Sequence, residues 1–92
     1  MAIALVLPHA LTPYAEGSGT LLLEPCATVG DALAALARRW PAVTDRILTE
    51  QGELRRHVNL FVGDESVRFL EGLGTALTDG DTVTVVPAVS GG

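Results

Sequence analysis

The stretch from Thr28 to Trp40 does most to limit what this chain can become. Thr28-Val29-Gly30-Asp31 has the form of a helix start: a threonine that can accept early helical N–H groups, with an acid three residues on at the positive end of the dipole. Val29, Leu33, Leu36 and Trp40 then recur at spacings of four, three and four, so they share one face. Asp31, Ala34, Ala35 and Arg38 fall on other faces and are expected to meet solvent. Arg38 and Arg39 oppose the negative end of the dipole, and Trp40-Pro41 ends the helix, because a residue before proline avoids the α region. A helix with one apolar stripe must bury that stripe against another element, and the rest of the sequence offers strands.

Residues 2–7, AIALVL, alternate bulky Ile3, Leu5 and Leu7 with Ala4 and Val6. Residues 9–19 hold Pro13, Gly17 and Gly19 and are turn-rich. Thr20 to Glu24 reads as a second strand closed by Pro25, so the first two strands form a hairpin. After the helix, Val43 to Leu48 can form a shorter helical segment, and residues 49–56 read as a polar loop. His57 to Val62 is a strand with Val58, Leu60 and Val62 on one face and His57, Asn59 and Phe61 on the other. Gly63-Asp64-Glu65 and Asp79-Gly80-Asp81 read as turns, Ser66-Val67-Arg68 as a short strand, and Thr82 to Val86 as the last strand. The predicted order is β-β-α-β-β-β, an α+β domain with one main helix on one face of a mixed sheet of four to five strands. At 92 residues, one core is the expectation. The boundary between folded domain and tail is placed at 87/88, with residues 88–92 as a flexible tail.

Few classes of chemistry survive a survey of the side chains. With a net charge of −5, the chain would be repelled by phosphate backbones, so nucleic acid is not an expected partner. No apolar run approaches the roughly 18 residues of a membrane span. Met1 to Leu7 reads as a strand rather than a leader, and a cytoplasmic location is the default expectation. One cysteine, Cys26, permits no internal disulfide and reads as a small core or loop residue rather than a nucleophile. His9 and His57 have no metal-ligand spacing to any other ligand. Asp79 and Asp81 flank a turn glycine, which explains them without an acid/base role. Gly17-Ser18-Gly19 precedes a strand and not a helix, so it is no phosphate loop. Arg55-Arg56 reads as a solvated pair, with partner contact the less favoured reading. The chain is expected to act with enzymes rather than as one, with no metal and no permanently bound cofactor.

The other notable feature is the ending, Val86-Pro87-Ala88-Val89-Ser90-Gly91-Gly92. A terminal Gly92 presents a carboxylate with no side chain beside it. Gly91 opens backbone conformations closed to other residues, and Ser90 and Val89 are modest in size, so the segment suits threading into another protein's active site. A frayed terminus explains it equally well when the tail is taken alone.

The motifs upstream tilt that balance. Val58-Asn59-Leu60-Phe61-Val62, Val67-Arg68-Phe69-Leu70-Glu71-Gly72-Leu73, Leu77-Thr78-Asp79-Gly80-Asp81-Thr82-Val83 and the Gly-Gly ending together resemble the MoaD/ThiS family of ubiquitin-like sulfur carriers. The run Arg55-Arg56-His57-Val58-Asn59 and the Pro87 to Gly92 ending look most like its CysO-type branch. Ser90 departs from the alanine that branch would place there. The resemblance implies a β-grasp fold and a cycle centred on Gly92. An E1-like enzyme of the MoeB/ThiF type adenylates the carboxylate with ATP, which the partner binds. Sulfide or a sulfurtransferase persulfide displaces AMP to leave a thiocarboxylate, and a biosynthetic enzyme accepts the sulfur. Cysteine synthesis or a sulfur-containing metabolite is the expected destination. The small subunit of molybdopterin synthase and a ubiquitin-like protein modifier remain the alternatives. All six basic residues are arginine, so self-linkage through lysine is excluded. The strand alternation turns Phe61 and Val86 away from the core face, and the β-grasp layout sets their strands side by side. A partner-docking patch is therefore expected at Phe61, Val86 and the adjoining Pro87.

Overall fold

The computed structural model describes residues 2–87. The reactive end expected at Gly92, the threading residues Gly91, Ser90 and Val89, and the tail assigned to 88–92 lie outside the described residues.

Five strands form one mixed sheet: β1 (Ile3–Val6), β2 (Thr20–Leu23), β3 (Val58–Val62), β4 (Glu65–Ser66) and β5 (Thr82–Pro87), in the order β2-β1-β5-β3-β4. β1 and β2 make the expected antiparallel hairpin, β5 runs parallel to β1, and β3 is antiparallel to both β5 and β4. The latest strand in the sequence is thus the central one. Helix α1 (Val29–Arg39) begins at Thr28, whose Oγ1 accepts a hydrogen bond from the Asp31 amide at 3.1 Å. Its stripe of Val29, Leu33 and Leu36 is fully buried, while Trp40, the fourth member, is only partly so. A second helix, α2 (Pro41–Ile47), follows at once, with Pro41 in the first turn where its missing N–H costs nothing. It buries Val43 and Ile47 in the same core, so the shorter helical segment expected over Val43 to Leu48 forms, starting two residues earlier, and covers the sheet beside α1. The opposing sheet face supplies Ile3, Leu5, Leu21, Leu23, Val58, Leu60, Val83 and Val85.

Residues His9–Ala15, read as turn-rich, form a 3₁₀ helix that buries Ala15. One segment differs from the expected layout. The strand expected over Ser66-Val67-Arg68 ends after Ser66, and Val67–Phe69 is a 3₁₀ turn. The side chains account for the break. Ser66 Oγ accepts from the Arg68 amide at 3.2 Å and donates to Asn59 Oδ1 at 3.0 Å, and Val67 is fully buried. Arg68 then turns back, its Nη2 donating to the carbonyls of Arg55 at 2.9 Å and Val58 at 2.6 Å. These bonds pin the start of β3 to the turn after β4.

Candidate functional site

Of the carboxylates weighed at Asp79 and Asp81, Asp81 is held by turn chemistry. Asp81 Oδ2 accepts from the Thr78 amide at 2.8 Å, the Asp81 amide donates to the Thr78 carbonyl at 3.1 Å, and Gly80 has φ +85°. Only glycine adopts that angle freely, which is why the sequence reads Asp-Gly-Asp. His9 and His57 are both exposed. Among the described residues no group of three His, Cys, Asp or Glu side chains could hold a metal ion, and no helix is long and apolar enough to cross a membrane.

Cys26 is half-buried beside the start of α1, and its Sγ donates to the Glu24 carbonyl at 3.0 Å. Burial, then the charges of Asp31 and Glu24, push the thiol pKa up, with Arg38 pulling the other way. A raised pKa keeps the neutral thiol in excess, and the thiolate is the reactive form. Cys26 is therefore expected to alkylate more slowly than free cysteine at pH 8, and to approach it only as the pH rises past the usual thiol range. Iodoacetamide rates followed by intact mass across pH 7 to 10 check this.

What remains is surface around the point where β5 runs out of the domain. The β3–β5 register sets Phe61 opposite Thr84 and Asn59 opposite Val86, so all four share one face. Phe61 and Val86 are diagonal neighbours, a separation that aromatic side chains bridge. Val86 is 37% exposed and Phe61 is partly buried. Pro87 pairs with Val58 and so alternates to the other face, away from the two residues it was grouped with. The sequence reading missed Leu22 and Phe69. Leu22 lies opposite Ala4, on the outward face of β1 and β2, and is 66% exposed; Phe69, at the end of its 3₁₀ turn, is 89% exposed. Leu22 was hidden because Leu21, Leu22 and Leu23 carry no polar residue to reveal the alternation. Phe69 was hidden because the short strand was read to end at Arg68, leaving Phe69 in no element whose alternation could place it.

On the helix side, two adjoining clefts flank the same exit. A small apolar one of about 140 Å³ lies between Leu11, Val58, Val85 and Pro87. A larger one of about 430 Å³ is lined by Tyr14, Asp45, Arg46, Arg55 and His57. Arg46 and His57 border both. Among the described residues neither cleft is lined by a serine, threonine or cysteine that could serve as a nucleophile beside a base.

Comparison with known proteins places this geometry. Residues 8–92 match the model of the ThiS family. Sulfur carrier protein CysO from Mycobacterium tuberculosis is 36% identical over 94 residues, an alignment that spans the whole of both chains. Small archaeal modifier protein 3 from Haloferax volcanii is 44% identical over 66 residues, covering 72% of this chain and 71% of that protein. Among solved structures, a chain of the Amycolatopsis orientalis BexX/CysO complex superposes with a TM-score of 0.87 at 35% identity, covering 99% of this chain and all of that one. The five-stranded mixed sheet under its helices is the ubiquitin-like β-grasp fold.

Proposed function

Because this chain belongs to the ThiS family, we propose that it is a sulfur carrier whose working atom is the terminal carboxylate of Gly92. It is a co-substrate handed between enzymes and not an enzyme itself. The observation that carries this reading is the full-length alignment with CysO, a protein named as a sulfur carrier, joined to a sequence that ends in Gly-Gly.

The chemistry follows from what a carboxylate lacks. Its oxygens are poor leaving groups, so sulfur cannot displace one directly. An E1-like partner joins the Gly92 carboxylate to the AMP portion of ATP, releasing pyrophosphate. A sulfur nucleophile, either sulfide or a persulfide, attacks the acyl carbon and AMP departs. With sulfide the product is the thiocarboxylate at once; with a persulfide, a reductive cleavage of the S–S bond must follow. The thiocarboxylate then attacks the substrate of the accepting enzyme. Gly91, Ser90 and Val89 thread the narrow passage, and the folded domain supplies the address. The CysO likeness favours cysteine synthesis or a related sulfur-containing metabolite as the destination. That the Amycolatopsis relative is found in a complex with BexX supports docking onto a partner protein here too.

The deciding experiment incubates the full chain with an E1-like enzyme, ATP and sulfide and follows its intact mass. Exchange of one oxygen for sulfur at the C-terminus supports the carrier. A ladder of heavier conjugates without exchange supports the modifier reading that the likeness to small archaeal modifier protein 3 keeps open. Phe61→Asp tests the outer-face patch. It puts a charge on a half-covered sheet face without touching the buried side, so adenylation should slow about tenfold or more, the scale of one interface anchor, while the thermal transition stays near its parent value. Unchanged pyrophosphate release would remove Phe61 from the docking surface.

A further inference from the structure

The helix-side groove beside Pro87 holds two guanidiniums that pair with no carboxylate among the described residues. The chain carries eleven acids against six arginines, so carboxylates were available to neutralise every cation. Yet the Arg46 guanidinium lies 4.6 Å from the centre of the Tyr14 ring, and Arg55 Nε donates to a backbone carbonyl, that of Asp45, at 3.0 Å. Among the described residues neither guanidinium is bonded to a carboxylate, although Asp45 lines the same cleft. His57 stands between this cleft and the apolar one floored by Leu11, Val58, Val85 and Pro87. The two clefts adjoin along Arg46 and His57 and are taken together as the groove: apolar beside Pro87, cationic farther along.

Position fixes what must come near it. Residues 88–92 reach at most about 18 Å when extended, so an active site that receives Gly92 brings its own surface over the surroundings of Pro87. Most of a chain with net charge −5 repels an acidic surface; this groove attracts one.

We propose that the groove docks an acidic segment of the enzyme that receives the tail. An apolar side chain of that segment seats against Leu11, Val58 and Pro87, and a neighbouring carboxylate sits between Arg46 and Arg55. The carboxylate gains charge-assisted hydrogen bonds from guanidinium N–H groups of Arg46 and Arg55 that, among the described residues, bond no carboxylate. The inference rests on the carrier reading for its partner, but the groove lies on the opposite face from Phe61 and Val86, so the two surfaces are separable. A carrier gripped on its sheet face by one enzyme and in its groove by another is told apart by each.

The test uses the full chain, ¹⁵N-labelled, and a blocked peptide, acetyl-Leu-Phe-Asp-Glu-amide, with its Asn-Gln twin as control. At low ionic strength the acidic peptide should give saturable amide shifts at Leu11, Arg46, Arg55 to Val58 and Val85, fading as salt is added. The twin should bind about tenfold more weakly or worse, and Arg46→Glu should lose the shifts. Arg46→Gln, which removes the charge without reversing it, should fall between, and guards against a folding defect. Equal binding of the twin, shifts centred on Phe61, or no saturable shifts overturn the groove. So do groove shifts that grow with protein concentration alone, which would make a second copy the occupant. A chain that binds no peptide yet gains sulfur at Gly92 sinks the groove and leaves the carrier standing; the reverse result does the opposite.

Discussion

A chain shortened by Gly92 alone is expected to gain no sulfur at all, while melting at the temperature of the full chain. The activating step needs a carboxylate at the far end of the tail. With Gly92 gone, the terminal carboxylate sits one residue, about 3.5 Å, short of where the partner holds the adenylating phosphate. A misplacement of only about 1 Å already costs on the order of a hundredfold, so a shift of a whole residue takes loading below detection even though the group is chemically intact. A conservative companion, Gly91→Val, keeps the length but adds a β-branched side chain and removes the backbone freedom that a narrow passage demands, so it should load sulfur slowly rather than never. Intact mass after the loading reaction, read beside a circular dichroism melt, reports both results. Full sulfur uptake by the shortened chain would show that Gly92 is not the reactive residue.

The second large effect falls on stability. Leu5→Ala is expected to destabilise the domain by about 2–5 kcal/mol, the range for emptying a buried leucine site. Leu5 is fully buried on β1 and pairs with Leu21 on one side and Val83 on the other, so it joins the N-terminal hairpin to the central strand. Small domains have roughly 5–15 kcal/mol to lose, and each kcal/mol is worth about 4–8 °C at this size. The melt should therefore fall by roughly 10 °C at least, and near the upper end the variant will be largely unfolded at 37 °C. Leu22→Ala, the same deletion at a 66% exposed site one strand away, should move it little. Equal losses at the two sites would mean that the assigned core face is wrong.

The parts of the fold legible in the residues were those with a period. Alternation marked the buried sides of β1, β3 and β5, and the four-three-four spacing marked α1 together with its cap at Thr28. What escaped had no period to read. β4 is two residues long, shorter than any window that shows alternation, and the turn after it is set by the Ser66, Asn59 and Arg68 hydrogen bonds. Two of those bonds join residues seven and ten apart, and nothing in the residue types announces that they meet. Two of the three residues of the expected outer patch could be placed, because Phe61 and Val86 each lie on the outward side of an alternating strand. Pro87 could not be placed, since its side of the sheet follows from pairing with Val58. The helix-side groove was illegible for the same reason: Tyr14, Arg46, Arg55 and His57 come together only when α2 and the start of β3 are docked.

The sheet order has a consequence for how the molecule is made. β5 is synthesised after every other element, yet it is the strand on which both β1 and β3 pair. Until Thr82 to Pro87 leave the ribosome, those two strands present open edges, and exposed edges invite aggregation and proteolysis. A product whose synthesis stops before Thr82 lacks the strand that β1 and β3 share and is exposed to removal, whereas one that stops just after Pro87 keeps every strand of the sheet and lacks only the residues proposed to carry sulfur. Folding therefore screens for the domain and leaves the reactive end to be checked by the partner that receives it.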